Sequence, residues 1–181
     1  MSVQMVLAVA VAVVLVAIVA GRLAGVWLKY RGQRVITCPE SHKPAGVQVD
    51  ARHSAATALG KAPELRLSSC SRWPERAGCG QQCLAQIEAS PEDCLVRNIL
   101  VKWYAGKSCA CCGHELGEIT LAGSKPALLG KDNVSAEWSQ ISADKLYEIL
   151  EAARPICFGC HMANKLVREH PELAVNRSYG S

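Results

Sequence analysis

The residues best equipped for chemistry in this chain are its cysteines. Ten of them stand at positions 38, 70, 79, 83, 94, 109, 111, 112, 157 and 160, a high density for 181 residues. Cys109-Ala-Cys-Cys112-Gly113 and Cys157-Phe-Gly-Cys160 are two C-x-x-C pairs. A C-x-x-C turn aims two sulfurs at one point, and a glycine after it permits the tight bend. Two such pairs complete a tetrahedral four-thiolate site of the kind that holds Zn2+. Cys109, Cys112, Cys157 and Cys160 are therefore the expected ligands of a first site. Cys111 is a spare thiol, either a replacement for Cys109 or Cys112 or a small buried side chain. Cys38, Cys70, Cys79 and Cys83 form a looser set. Ligands drawn from a loop, a strand end and a helix make a second four-cysteine site; Zn2+ suits it, and so would an iron–sulfur cluster. The ordinary alternative is four buried free thiols. Cys94, among apolar residues, reads as core.

From 109 to 168 the order is a C-x-x-C knuckle, a hairpin, and a second C-x-x-C at a helix start. That order resembles the treble-clef group of zinc folds. The ending Cys157-x-x-Cys160-His161, with Asn164 and Lys165 after it, looks like the structural half of HNH-type modules. The resemblance implies zinc on Cys109, Cys112, Cys157 and Cys160. HNH nucleases place an Asp-His or His-His pair in the hairpin to bind a metal and activate water. Here that region offers only His114, against the knuckle, so no nuclease activity carries over. The same ending matches C-x-x-C-H, the attachment motif of c-type cytochromes. In that resemblance Cys157 and Cys160 carry the haem c thioethers and His161 is the axial ligand. Met162 is adjacent to His161 and cannot reach the other haem face, and Cys109 and Cys112 are left without a role.

The elements that must position these residues follow from capping and periodicity. Arg34 to Thr37 and Val47 to Val49 read as strands around the turn-rich CPESHKPAG. Asp50 caps a helix over Ala51 to Leu59. Glu64 to Ser68 alternates as a strand does. Cys79 to Ala89 reads as a helix carrying Cys79 and Cys83 on one face, one turn apart. Ser90-Pro91-Glu92-Asp93 is a helix start, with a run to Ala105 and a stop at Gly106. Beyond it, GEITL and PALLG read as the two strands of a hairpin. Ser142 caps a helix over Ala143 to Ala153, Pro155 ends it, and Cys157 opens a last helix reaching Glu169. His42, His53 and His170 read as surface residues, and Arg97, Lys102 and Trp103 as one amphipathic helix.

Met5 to Gly21, MVLAVAVAVVLVAIVAG, has no polar side chain and spans roughly 25 Å as a helix. Adding Leu23 to Leu28 makes residues 5–28 long enough to cross a bilayer in contact with lipid. A cleaved signal peptide fits less well, because Met1 to Gln4 carries no Lys or Arg and, for cleavage after Ala20, Ile18 occupies the −3 position where a small residue is needed. Arg22, Lys29, Arg31 and Arg34 all lie on the C-terminal side. The positive-inside rule then places the N-terminus outside and the rest in the cytoplasm, where thiols stay reduced and ligate metal rather than pair as disulfides. Haem c attachment takes place outside that compartment.

The expected fold is α+β: a transmembrane anchor (1–29), a cysteine-rich α+β module (30–106) and a treble-clef-like zinc module (107–181). A net charge of +4 without a basic stripe gives no case for nucleic acid. No phosphate loop, nucleophile elbow or paired carboxylates are present. The expectation is a non-catalytic, membrane-anchored zinc protein with a protein partner. The alternative is an electron carrier with haem c at Cys157, Cys160 and His161 or an iron–sulfur cluster at Cys38, Cys70, Cys79 and Cys83.

Overall fold

The structure, a computed structural model, describes residues 2–76, 78–117, 119 and 126–173. It is α+β and divides into two compact units, Met1–Val96 and Arg97–Ser181.

The first unit begins with α1, Val3–Tyr30, an unbroken helix of 28 residues and about 42 Å. It is long and apolar enough to cross a membrane, a property it shares with a signal sequence. Its two ends differ. From Val3 to Arg22 every residue is exposed, whereas Leu23, Val26 and Tyr30 recur on one face and are covered. Val26 and Tyr30 pack into the core of the unit, and Arg22 Nε donates to the carbonyl of Ala58 at 3.2 Å. Leu23 to Leu28 thus belongs in part to a packed interface, which corrects the expectation that this stretch only lengthens a lipid-facing span. The fully exposed stretch from Val3 to Arg22 still covers roughly 30 Å.

Three antiparallel strands follow: β1 (Gln33–Thr37), β2 (Pro44–Val49) and β3 (Leu67–Cys70), in the order β1-β2-β3. Helix α2 (Ala51–Thr57) is capped as expected, the Asp50 carboxylate accepting from His53 N at 3.0 Å. Strand β3 lies later than its alternation suggests because register is set by pairing: Val47 faces Cys70 and Val49 faces Leu67 across an irregularity. The helix expected from Cys79 starts only at Leu84, as α3 (Leu84–Ala89). Gln81, at φ 51°, breaks the run, so Cys79 and Cys83 do not share a helix face. The helix expected from Ser90 is likewise delayed to α4 (Val96–Tyr104). Its intended first turn is used on the open edge of β1, where Val35 N donates to the carbonyl of Cys94 at 2.9 Å and Leu95 bridges Arg34.

Arg34 is fully buried. Its Nη1 donates to the carbonyls of Tyr30 (2.6 Å) and Gly32 (3.1 Å), and its Nη2 to that of Lys29 (2.6 Å). The last carbonyls of a helix lack backbone partners and carry partial negative charge. Arg34 satisfies two of them from the next strand, so it is a helix cap rather than the headgroup charge its position suggests.

The second unit holds most of α4, then β4 (Ala127–Leu129), β5 (Ser135–Ala136), α5 (Leu146–Ala152), β6 (Arg154–Ile156) and α6 (Phe158–Glu169). β4 is the central strand, flanked by β5 and β6, both antiparallel. PALLG is therefore a strand as expected, but its partners are β5 and β6; most of GEITL lies outside the described residues. Pro155 ends α5 and also sits within β6, an element the helix-stop reading missed. Helix α5 is preceded by a 3-10 turn at Ala143–Lys145, and Ser142 bonds to the Asp144 carboxylate rather than to the backbone. Tyr104 is fully buried and stacks on Trp138 at 5.6 Å, with Trp138 Nε1 donating to its hydroxyl at 3.3 Å. Burial pushes the Tyr104 hydroxyl well above its usual range, so it stays a neutral hydrogen-bonding group.

Candidate metal centre

Cys109, Cys112, Cys157 and Cys160 come together. Their four sulfurs all lie within 4.8 Å of one another, a grouping that could hold a metal ion. The knuckle is built locally. Cys109 N donates to the carbonyl of His114 (2.8 Å), Gly113 N closes back on the carbonyl of Cys109 (2.9 Å), and Gly113 takes φ 73°, a conformation a side chain resists. Ala110 N then donates to the carbonyl of Pro155 (2.8 Å), pinning the knuckle to β6. β6 delivers Cys157 to the start of α6, where it is the N-cap residue and its sulfur accepts from Cys160 N at 3.5 Å. Cys157 N in turn donates to the Cys109 sulfur at 3.3 Å. Alternation along β4 places Ala127 and Leu129 against the cysteines, with Ile156 beside them.

Spacing and electrostatics are both compatible with a cation among the four sulfurs. Cys112 and Cys157 sulfurs are 3.8 Å apart. A tetrahedral ion with bonds of about 2.3 Å to sulfur sets its ligands about 3.8 Å apart. Burial pushes the Cys109 thiol up, but backbone N–H groups of Cys157, Cys112 and Cys111 outweigh it and bring the thiol down to about 6. The Cys160 thiol is driven far the other way, chiefly by the Cys157 sulfur and then by burial. Cys112 also ends above its usual value: the His114 N–H lowers it, and the Cys109 and Cys157 sulfurs raise it more. Four sulfurs at contact distance cannot all carry charge unaided; a divalent ion removes that repulsion.

His161 does not face the sulfurs. It is buried, with Nδ1 2.8 Å from Ser135 Oγ and Nε2 3.7 Å from the Glu137 carboxylate. Ser135 Oγ donates to Asn164 Oδ1 at 2.9 Å, so it must accept from His161 Nδ1–H. Asn164 Nδ2 continues the chain to the carbonyl of Asn133 at 3.0 Å. His161 and Asn164, singled out for their place after Cys160, thus fasten α6 to β5 and hold Cys157 and Cys160 in position; this role is not readable from the motif. Ser135→Ala is expected to strand the His161 and Asn164 partners and cost about 1–3 kcal/mol in thermal or urea denaturation, with metal stoichiometry unchanged.

The other residues of interest are placed as follows. Cys111 is exposed. His114 contributes its carbonyl to the knuckle and its side chain is exposed. His170 is exposed and pairs with Glu172 at 3.1 Å. Cys38, Cys70, Cys79 and Cys83 are positioned by the turn after β1, the end of β3, the loop after it and the N-cap of α3. They do not converge as the first group does: they form no single-ion grouping within 4.8 Å. Cys83 is buried and its thiol is pushed up to about 11 by burial, then by Cys70, Cys79 and Cys38. Cys38 is lowered by the Ser41 hydroxyl, the backbone N–H groups of Ser41 and Glu40, and Arg72.

No protein-family model, no curated protein and no solved structure matches the chain.

Proposed function

We propose that this is a membrane-anchored zinc protein, with Zn2+ on Cys109, Cys112, Cys157 and Cys160 in a treble-clef-like module that acts as a non-catalytic structural or interaction domain. The observation that carries the reading is the four-sulfur cluster with its 3.8 Å edge. Its ligand set is all thiolate, which suits zinc among the divalent ions. A structural zinc site closes its fourth position with protein, whereas a catalytic one keeps it for water or substrate; four cysteines leave none open. Knuckle, β4 and α6 follow one another in the treble-clef order. A haem c reading would need His161 to leave Ser135 and two sulfurs to leave the cluster.

The anchor is α1, with its exposed apolar stretch in the bilayer. Arg22, Lys29 and Arg31 remain on the C-terminal flank once Arg34 is counted as a buried cap, and they favour a cytoplasmic position for both units. A partner on the cytoplasmic surface is the expected role.

Purified full-length protein in detergent is expected to carry one zinc that is lost in Cys157→Ser, with no Soret band. A Soret band that survives acid–acetone extraction overturns the zinc reading in favour of haem c. Labelling the exposed Cys111 with a membrane-impermeant maleimide in intact cells tests orientation: label only after permeabilisation is expected, and label from outside reverses it.

A further inference from the structure

Cys38, Cys70, Cys79 and Cys83 come from four separate places in the first unit, yet all four line one cavity of about 30 Å3. That is more room than one water requires, and two of its lining residues carry unmet donors. Arg72 Nε and Trp73 Nε1 are sealed from solvent without a hydrogen-bond partner, and both residues line this cavity. Buried donors are nearly always paired, so two orphans beside four sulfurs point to an acceptor between them. Charge points the same way. Arg72 and Arg76 both stand in the wall; Arg76 reaches Glu40 only at 3.9 Å, and both of those side chains are partly exposed. Two guanidinium groups beside four thiols suit a centre with net negative charge.

Spacing decides its kind. A single tetrahedral ion needs sulfurs about 3.8 Å apart, the edge seen in the second unit. No three of these four sulfurs lie within 4.8 Å of one another, and all four residues border the cavity. An iron–sulfur cluster spreads its irons around bridging sulfides, so it holds its cysteines further apart and offers those sulfides as acceptors for N–H groups. We propose that Cys38, Cys70, Cys79 and Cys83 ligate an iron–sulfur cluster in this cavity, with Arg72 and Trp73 donating to its sulfur atoms. The proposal is independent of zinc at the other four cysteines and of the membrane placement.

The test uses the full-length chain in detergent, purified without oxygen and incubated with ferric iron, sulfide and dithiothreitol, the thiol reducing part of the iron to the mixed valence a cluster needs. Expected are matching amounts of iron and acid-labile sulfide and a broad visible band that dithionite bleaches. Cys70→Ser and Cys83→Ser should each lower iron and sulfide at least tenfold while zinc per chain stays constant, and Cys94→Ser should leave all three unchanged. Where a ligand variant does not fold, Arg72→Gln decides: losing a positive charge should shift the reduction potential downward. Wild-type protein that takes up no iron and sulfide overturns the proposal. So do two zinc ions per chain without iron, iron retained by both ligand variants, or a potential unmoved in Arg72→Gln.

Discussion

Cys157→Ser is expected to strip the metal from the second unit and unfold it. Structural zinc in small cysteine domains contributes an apparent binding free energy of about 10–16 kcal/mol at neutral pH, which becomes folding free energy because the site exists only in the folded chain. Whole domains are stable by only about 5–15 kcal/mol. The apolar residues packed at the cysteines, Ala127, Leu129, Ile156 and Leu116, are few, so an ion would supply much of the cohesion there. Loss of a thiolate also leaves three crowded sulfurs whose repulsion an ion would offset. The measurements are zinc stoichiometry and amide hydrogen exchange: zinc should fall to near zero, and protection of β4, β6 and α6 should collapse. Cys111→Ser, one residue from a ligand but exposed, should change neither. Full protection of the second unit in the presence of a strong chelator would show that the ion is dispensable to the fold.

Arg34→Met is the second large effect, and it concerns the first unit. Methionine keeps much of the volume and removes the fork that serves the carbonyls of Lys29, Tyr30 and Gly32. Breaking a buried charge-assisted network by removing one partner costs about 3–5 kcal/mol. The expected result is a drop of that size in the urea denaturation of the first unit, read in detergent by hydrogen exchange, with zinc binding unaltered. Arg34→Lys should restore only part of the loss, since a single ammonium cannot reproduce the planar geometry. A cost under about 1 kcal/mol would mean that the three carbonyls find other donors.

Legibility in the sequence followed the range of the interaction. Asp50 and the start of α6 at Cys157 were readable because a cap is decided within three residues of itself. The grouping of Cys109, Cys112, Cys157 and Cys160 was readable because each C-x-x-C pair is a local geometry, and only the meeting of the pairs needed the fold. What was missed depends on distant partners. β6 contains Pro155 and becomes a strand only by pairing with β4. Residues 94 and 95 have helix-start neighbours but are taken by the edge of β1. Cys79 and Cys83 have helical spacing, yet Gln81 between them adopts a positive φ and its side chain accepts from Leu67 N at 2.8 Å. Arg34 looks like one more flanking charge, and nothing local says that the helix end before it will fold back onto its guanidinium.

That helix end has a mechanical meaning. α1 runs without a break from its exposed apolar stretch into the packed face at Leu23, Val26 and Tyr30, with Arg22 held by Ala58 and the terminus clamped by Arg34. There is no hinge between the rod and the first unit. With the rod in a bilayer, any tilt or rotation imposed on it by bilayer thickness or by a neighbouring helix turns the β1-β2-β3 sheet through the same angle. In that setting the cysteine-lined cavity would keep a fixed bearing and height above the lipid surface, as a lamp does on a rigid post rather than on a cord.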